Sequence, residues 1–278
     1  MLTRALAAIV LIALVLLLLF QAPPLAFILA VLAVAELALV EYMRLIPGLQ
    51  NSGRGILLML LAAAIVLSRL AAPRWQAPQG TLLFVIFGVM ALVIHTVLTV
   101  SDNSRVAHVV GASSFGLLYI PFSLSLLIPI RFNCDRITLV DDCAGSLGGE
   151  PVLFLLLVTW AADTGAYAGG RLFGRHRLAP SISPGKTVEG ALAGLACSIG
   201  VGFAFSALAP GHFYGPFAAG VFTVVGQFGD LFESMLKRGA GVKDSSGWIP
   251  GHGGLLDRID SLLICCPLLF VSQLARGS

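Results

Sequence analysis

The sequence predicts an all-α, polytopic integral membrane protein with about nine transmembrane helices. Three observations carry that reading. Of 278 residues, 58% are hydrophobic and 11% charged, with a mean hydropathy of +0.95, which is far from the composition of a water-soluble globule. The apolar residues fall in long runs that satisfy their backbone in lipid only as helices, and the alternating pattern of a barrel is absent. Short breaks separate the runs, at Pro23 and Pro24, Pro47 and Gly48, Pro73 and Pro78, and Pro184 and Gly185.

In chain order the helices are expected at 5–20, 25–43, 55–72, 81–100, 106–130, 151–170, 188–209, 213–230 and 255–275. The first resembles a signal peptide, since Arg4 precedes a Leu-rich core. No clear small-residue cleavage site follows it, so it is read as a retained helix. Five helices occupy 1–130, a loop 131–150 follows, and a second transmembrane region, 151–278, is expected to be catalytic.

Nine spans put the two termini on opposite sides. With the N-terminus inside, the inner loops hold 12 of the 17 Lys and Arg residues. That bias places both charged C-terminal loops in the cytoplasm, at the inner membrane of a cell, and the loop 131–150 outside. An oxidising compartment permits a disulfide between Cys134 and Cys143 in that loop, with unpaired thiols as the alternative. Cys197, Cys265 and Cys266 lie in apolar helices and are expected as small core residues. The cysteines form no CxxC pair and no metal-binding spacing with histidine. A net charge of +3, scattered over loops, excludes a nucleic-acid partner.

Charge concentrates between Gly229 and Asp260, in GDLFESMLKRGAGVKDSSGWIPGHGGLLDRID. The carboxylates are Asp230, Glu233, Asp244, Asp257 and Asp260, and the cations Lys237, Arg238, Lys243 and Arg258, with His252 among them. Such density beside lipid requires a wet rim or a polar cavity. Asp230, Glu233, Ser234 and Lys237 share one helical face by their spacing of three, four and seven. Asp257 and Asp260, three apart at a helix start, repel each other unless a cation lies between them. A hard divalent ion that keeps its waters and bridges to phosphate suits that place. The competing reading is that both acids complement the helix dipole. His252, between glycines, is either a substrate contact or a structural residue.

A second charged loop reads WAADTGAYAGGRLFGRHRLAPSISPGKTVEG. Asp163 lies inside an apolar helix, where an ionisable group is functional by default and pairing with an arginine is the alternative. GKT at Gly185 to Thr187 is not a P-loop, because Pro180 stands where the pattern needs glycine and no strand is expected ahead of it. Lys186 and Thr187, just before Glu189, can still meet a phosphate at a helix N-terminus.

The run from Ser234 to Asp260, with SMLKR, KD and IPGHGGLLDRID, resembles the signature of the phosphatidate cytidylyltransferase (CDP-diacylglycerol synthase) family. The segments Asp163 to Gly174 and Ser183 to Gly190 resemble its companion motifs, so the likeness covers roughly the C-terminal 110 residues. The resemblance implies transfer of a cytidylyl group from CTP to phosphatidic acid, in phospholipid biosynthesis, by a homodimeric membrane enzyme. It implies a magnesium site with room for a second, monovalent cation such as potassium, and metal ligands at Asp230, Asp257 and Asp260. Lys237, Arg238, Lys243 and Arg258 then meet phosphate charge, with His252 a weaker catalytic candidate. Lys186, Thr187, Ser234, Asp163 and Asp244 are candidates for binding substrate. A CTP-dependent polyprenol kinase-like enzyme and a transporter are the rival readings. The transporter is disfavoured because no internal repeat is visible and the charges cluster on one face of one half.

Overall fold

The computed structural model describes residues 12–50, 52–70, 78–132, 149–208, 214–248 and 253–277. Among them, each of the nine expected segments contains helix: α1 over 12–20, α2 Pro24–Leu45, α3 Ser52–Leu67, α4 Pro78–Thr99, α5 Asn103–Phe132, α6 Gly149–Phe173, α7 Val188–Leu208, α8 Pro216–Gly239 and α9 Leu256–Gly277. Seven of these, α2 to α7 and α9, have spans long and apolar enough to cross a membrane. The other two are α1, described only in part, and α8, which ends in charged residues. Large apolar side chains such as Leu60, Phe87, Val97, Leu192 and Phe203 are exposed on these helices, as a lipid-facing surface requires. Cys134 and Cys143 lie outside the described residues.

Two elements depart from the expectation. α5 is broken by a π-helical turn at Leu118–Phe122, where Pro121 cannot donate to the helical ladder. A short antiparallel hairpin, β1 Arg177–Ala179 with β2 Ser183–Thr187, interrupts the otherwise helical chain between α6 and α7.

The chain divides into two compact units, one of 1–149 with 244–256, the other of 150–243 with 257–278. In the first unit α2 packs on α3, and α4 on both α3 and α5. Tyr42 on α2 donates to the Ala112 carbonyl on α5 at 2.8 Å. Arg69, fully buried after α3, reaches Ser125 Oγ at 3.4 Å. α5 opens with Asp102 as its N-cap, accepting from the Ser104 amide at 3.0 Å. Ser104 also donates through its hydroxyl, and these two bonds hold the Asp102 carboxyl below the usual carboxylate range.

In the second unit α7 lies along α8 and backbone-close to α6. A Cβ on Gly194 would stand 2.5 Å from the Ala162 carbonyl oxygen, and one on Gly190 2.7 Å from that of Ala166. Only glycine permits this approach, which seats the N-terminus of α7 against the middle of α6. α8 meets α9 through Ser261 Oγ, which donates to the Gly226 carbonyl at 3.1 Å. Of the cysteines expected in the core, Cys265 and Cys266 on α9 are buried, whereas Cys197 on α7 is exposed, a correction to the sequence reading. Its helix is buried mainly along the Gly190, Gly194, Ser198 and Gly202 stripe, so apolar residues off that stripe are left outside.

Candidate active site

Asp163, Lys186, Asp230, Lys237, Asp257 and Asp260 all lie in the second unit, whereas Asp244 and His252 fall in the first. α8 does not stop at the apolar boundary near Asp230 but continues to Gly239, where Val242 N–H bonds the Lys237 carbonyl at 2.9 Å and closes the helix. The face expected from sequence is present, with Asp230, Glu233, Ser234 and Lys237 on successive turns and Glu233 and Ser234 buried.

The hairpin delivers Lys186. Its Nζ lies 2.6 Å from Asp230 Oδ2, with the two side chains 26% and 34% exposed. GKT therefore lies on strand β2, where the sequence suggested no strand, and α7 begins directly after it. It is still no P-loop, because Pro180 keeps the glycine position that a phosphate cradle needs. Thr187 Oγ1 accepts from the Gly190 amide at 3.1 Å and so caps α7. Glu189 fixes the other end of the hairpin connection, accepting from the amides of Arg175 at 3.0 Å and His176 at 3.2 Å. His176, given no role from sequence, also contacts Glu189 through Nδ1 at 2.6 Å. On the far side, Arg238 Nε donates to the Ile182 carbonyl at 3.2 Å and ties the hairpin tip to the end of α8.

Asp163 on α6 and Asp260 on α9 join this group electrostatically. The charge of Asp230 bears on both of them, Asp163 bears on Asp260, Lys186 opposes in each case, and Arg258 offsets Asp163. Three carboxylates from three helices thus share one field with two cations. One turn further along, Lys237 Nζ bridges Glu233 and Asp257. The acids expected to act together are in this way divided: Asp230 and Asp260 share the Lys186 cluster, while Asp257 belongs to the Lys237 cluster. Lys243 and Asp244 are exposed in the following turn. His252 lies outside the described residues.

Beside the first cluster is a cavity of about 410 Å³ lined by Asp163, Lys186, Thr187 and Asp230. Its wall also includes Tyr167 and Arg171, which the sequence reading passed over. Arg171 Nη1 donates to the Tyr167 hydroxyl at 3.4 Å. Both lie at i+4 and i+8 from Asp163 on α6, so helical spacing from the one acid already singled out would have found them. Apolar residues such as Leu178, Ala191 and Phe222 complete the wall, a surface suited to a ligand part apolar and part anionic.

The donor set suits a hard cation. Among the described residues no three carboxylate, histidine or cysteine side chains stand close enough to enclose an ion by themselves. Magnesium does not need such a cage, because it keeps several waters and binds through one or two carboxylates and a substrate phosphate. Asp230, Asp163 and Asp260 offer oxygen donors only and outnumber Lys186 and Arg258, the cations that act on them, so the residues present fit a hard cation.

The fold and this site define a class: a polytopic helical membrane protein with an acidic and basic pocket among its C-terminal helices. The chain belongs to the cytidylyltransferase family, whose sequence profile matches residues 2–274. It is 42% identical over 159 residues to a phosphatidate cytidylyltransferase of Haemophilus influenzae, covering 54% of this chain and 55% of that one. A phosphatidate cytidylyltransferase of Thermotoga maritima is 36% identical over 188 residues, 64% of each chain. One of Staphylococcus epidermidis is 46% identical over 127 residues, 45% of this chain and 49% of the relative. The matched stretches thus span about half to two thirds of the relatives' length.

Proposed function

We propose that this protein transfers the cytidylyl group of CTP to phosphatidic acid, giving CDP-diacylglycerol and pyrophosphate. The observation that carries the reading is the meeting of Lys186, Asp163 and Asp230 at one cavity, with Asp260 in the same electrostatic cluster, where the motif segments 163–174, 183–190 and 234–260 come together with Asp230. An oxygen of the lipid phosphate attacks the α-phosphorus of CTP and forms the new P–O bond. The bond from the α-phosphorus to the bridging oxygen breaks, and pyrophosphate leaves with that electron pair. The phosphate monoester is already largely ionised near neutral pH, so the site needs no strong base, and His252 is not assigned one.

Both reactants are anions, so the principal task is to offset their repulsion and stabilise the leaving pyrophosphate. Asp230 and Asp260, with Asp163 or Asp257, would hold a magnesium ion, which would supply Lewis-acid charge neutralisation when bound. Lys186 and Arg258 add positive charge at the first cluster. Lys237, held between Glu233 and Asp257, and Arg238, tied to the hairpin tip, are kept in fixed places for phosphate by partners that already orient them. Lys243 is exposed where it can meet the outer phosphates. Ser234, Thr187 and Asp244 remain substrate-side candidates. A second, monovalent cation, a homodimer, and an inner-membrane location with the site open to the cytoplasm belong to the same proposal. The apolar part of the cavity wall suits the lipid end of phosphatidic acid.

The test is conversion of labelled CTP and phosphatidic acid by the purified chain in detergent, with magnesium and with a chelator. CDP-diacylglycerol forming only with magnesium is the expected result. Phosphorylation of a polyprenol by CTP, or no product where a phosphatidate cytidylyltransferase works, overturns it.

A further inference from the structure

The first unit holds a buried carboxylate that no reading of the reaction uses. Glu41, near the end of α2, is fully buried. Its Oε2 accepts from Ser245 Oγ at 3.0 Å and from the Leu256 amide at 2.6 Å. Its Oε1 accepts from Ser246 Oγ at 2.5 Å and from the Leu255 amide at 3.0 Å. Each oxygen thus takes one hydroxyl and one backbone N–H, and both ends of the segment 245–256 converge on a single side chain. The lock leaves no spare room, since a Cβ on Gly254 would lie 2.7 and 2.8 Å from the two Glu41 oxygens. One turn further along α2, the Arg44 guanidinium lies over the Trp248 ring, 4.9 Å from its centroid, close to Ser245 and Ser246 in sequence.

Leu256 is the first residue of α9. The opening amides of a helix lack partners within it and are usually met by a side chain just ahead in sequence. Here a carboxylate from a helix more than 200 positions earlier meets one of them, with the sign that the helix dipole favours. A buried carboxylate is tolerated because charge-assisted donors replace its water, and four of them do so here.

We propose that Glu41 is a positioning residue, which ties Ser245 and Ser246 to Leu255 and Leu256 and so fixes the first residue of the helix whose opening turn carries Asp257, Arg258 and Asp260. Its effect on turnover rests on the proposed function; the tie itself does not.

Hydrogen–deuterium exchange on the purified full chain reads the tie directly. Glu41→Ala is expected to speed exchange of the amides in 253–258 at least tenfold while exchange in α3 to α5 stays within about twofold. Glu41→Gln, which still accepts at one oxygen, gives an intermediate rate, and turnover of CTP with phosphatidic acid falls in the same order. The double variant Ser245→Ala with Ser246→Ala keeps the carboxylate and both amide bonds. It is expected to accelerate exchange less than Glu41→Ala, and it serves if the latter does not fold. Unchanged protection of 253–258 in the variants overturns the proposal, as does a loss spread evenly over the first unit, which would make Glu41 a general packing residue. An exchange pattern as expected in a chain that makes no CDP-diacylglycerol supports the tie and removes only the reaction.

Discussion

Replacing Lys186 by Met removes the one cation that the hairpin places against Asp230, and the geometry sets the size of the effect. At the 2.6 Å separation of Nζ and Oδ2, the Coulomb attraction lies between about 1.6 kcal/mol in water and about 6 kcal/mol at an effective dielectric constant near 20. Both side chains are one quarter to one third exposed, so solvent screens the pair and the lower half of that range applies. A charge developing on phosphate at the same place loses a comparable amount, about 2 to 3 kcal/mol, or roughly 30- to 150-fold in kcat/KM. The assay is initial-rate formation of CDP-diacylglycerol in detergent across CTP concentrations. Lys186→Arg keeps the charge and is expected to lose less than Lys186→Met. The magnesium concentration for half-maximal turnover is also expected to fall in Lys186→Met, because a competing cation has left the carboxylates. If Lys186→Met stays within about threefold of the native enzyme, the cluster at β2 and α8 is not where phosphate charge is met, and the reasoning fails.

Asp257→Asn is expected to abolish turnover while preserving expression and melting behaviour, because Lys237 keeps Glu233 as a partner and the change leaves a neutral pair in place of a triad with net negative charge. Near-normal turnover would support a dipole role for Asp257 alone. Gly194→Leu forces a side chain against the Ala162 carbonyl on α6. A thermal melt in detergent should show overpacking of about 1–3 kcal/mol, and an unshifted melt would refute the close approach of the two helices. For orientation in the membrane, a cysteine introduced in the loop 131–150 should react with an impermeant thiol reagent from outside. One at Gly247, where an added Cβ meets nothing within 4 Å, should react only from inside.

Hydropathy alone located the helices, because a lipid-spanning segment writes its length into the chain as an apolar run. It read α8 too short for the same reason. The apolar run ends at Asp230, but the helix continues because Lys186 and Asp257 meet its charged face from elsewhere in the second unit. The β hairpin was illegible: RLAPSISPGKT is short, carries two prolines and shows no alternation, and its ends are held by Glu189 and Arg238, which lie outside it. Asp163, Asp230 and Asp260 are legible in the sequence because charge in an apolar setting is costly and therefore conspicuous, and Lys186 because it stands just ahead of an expected helix N-terminus. How they group was not legible, since Asp257 and Asp260 are close in sequence but join different clusters. Glu41 escaped for a related reason. It reads as an acid at the rim of a helix, and its four donors lie more than 200 positions away.

The break in α5 has a consequence for the lipid around it. A straight helix from Asn103 to Phe132 would be about 45 Å long at 1.5 Å per residue, half again the roughly 30 Å hydrocarbon thickness. A rigid rod of that length accommodates a thinner bilayer only by leaning over as a whole. The turn at Leu118–Phe122, with Pro121 inside it, is a place where such a helix can kink, so the segments on either side need not follow one straight axis across the bilayer.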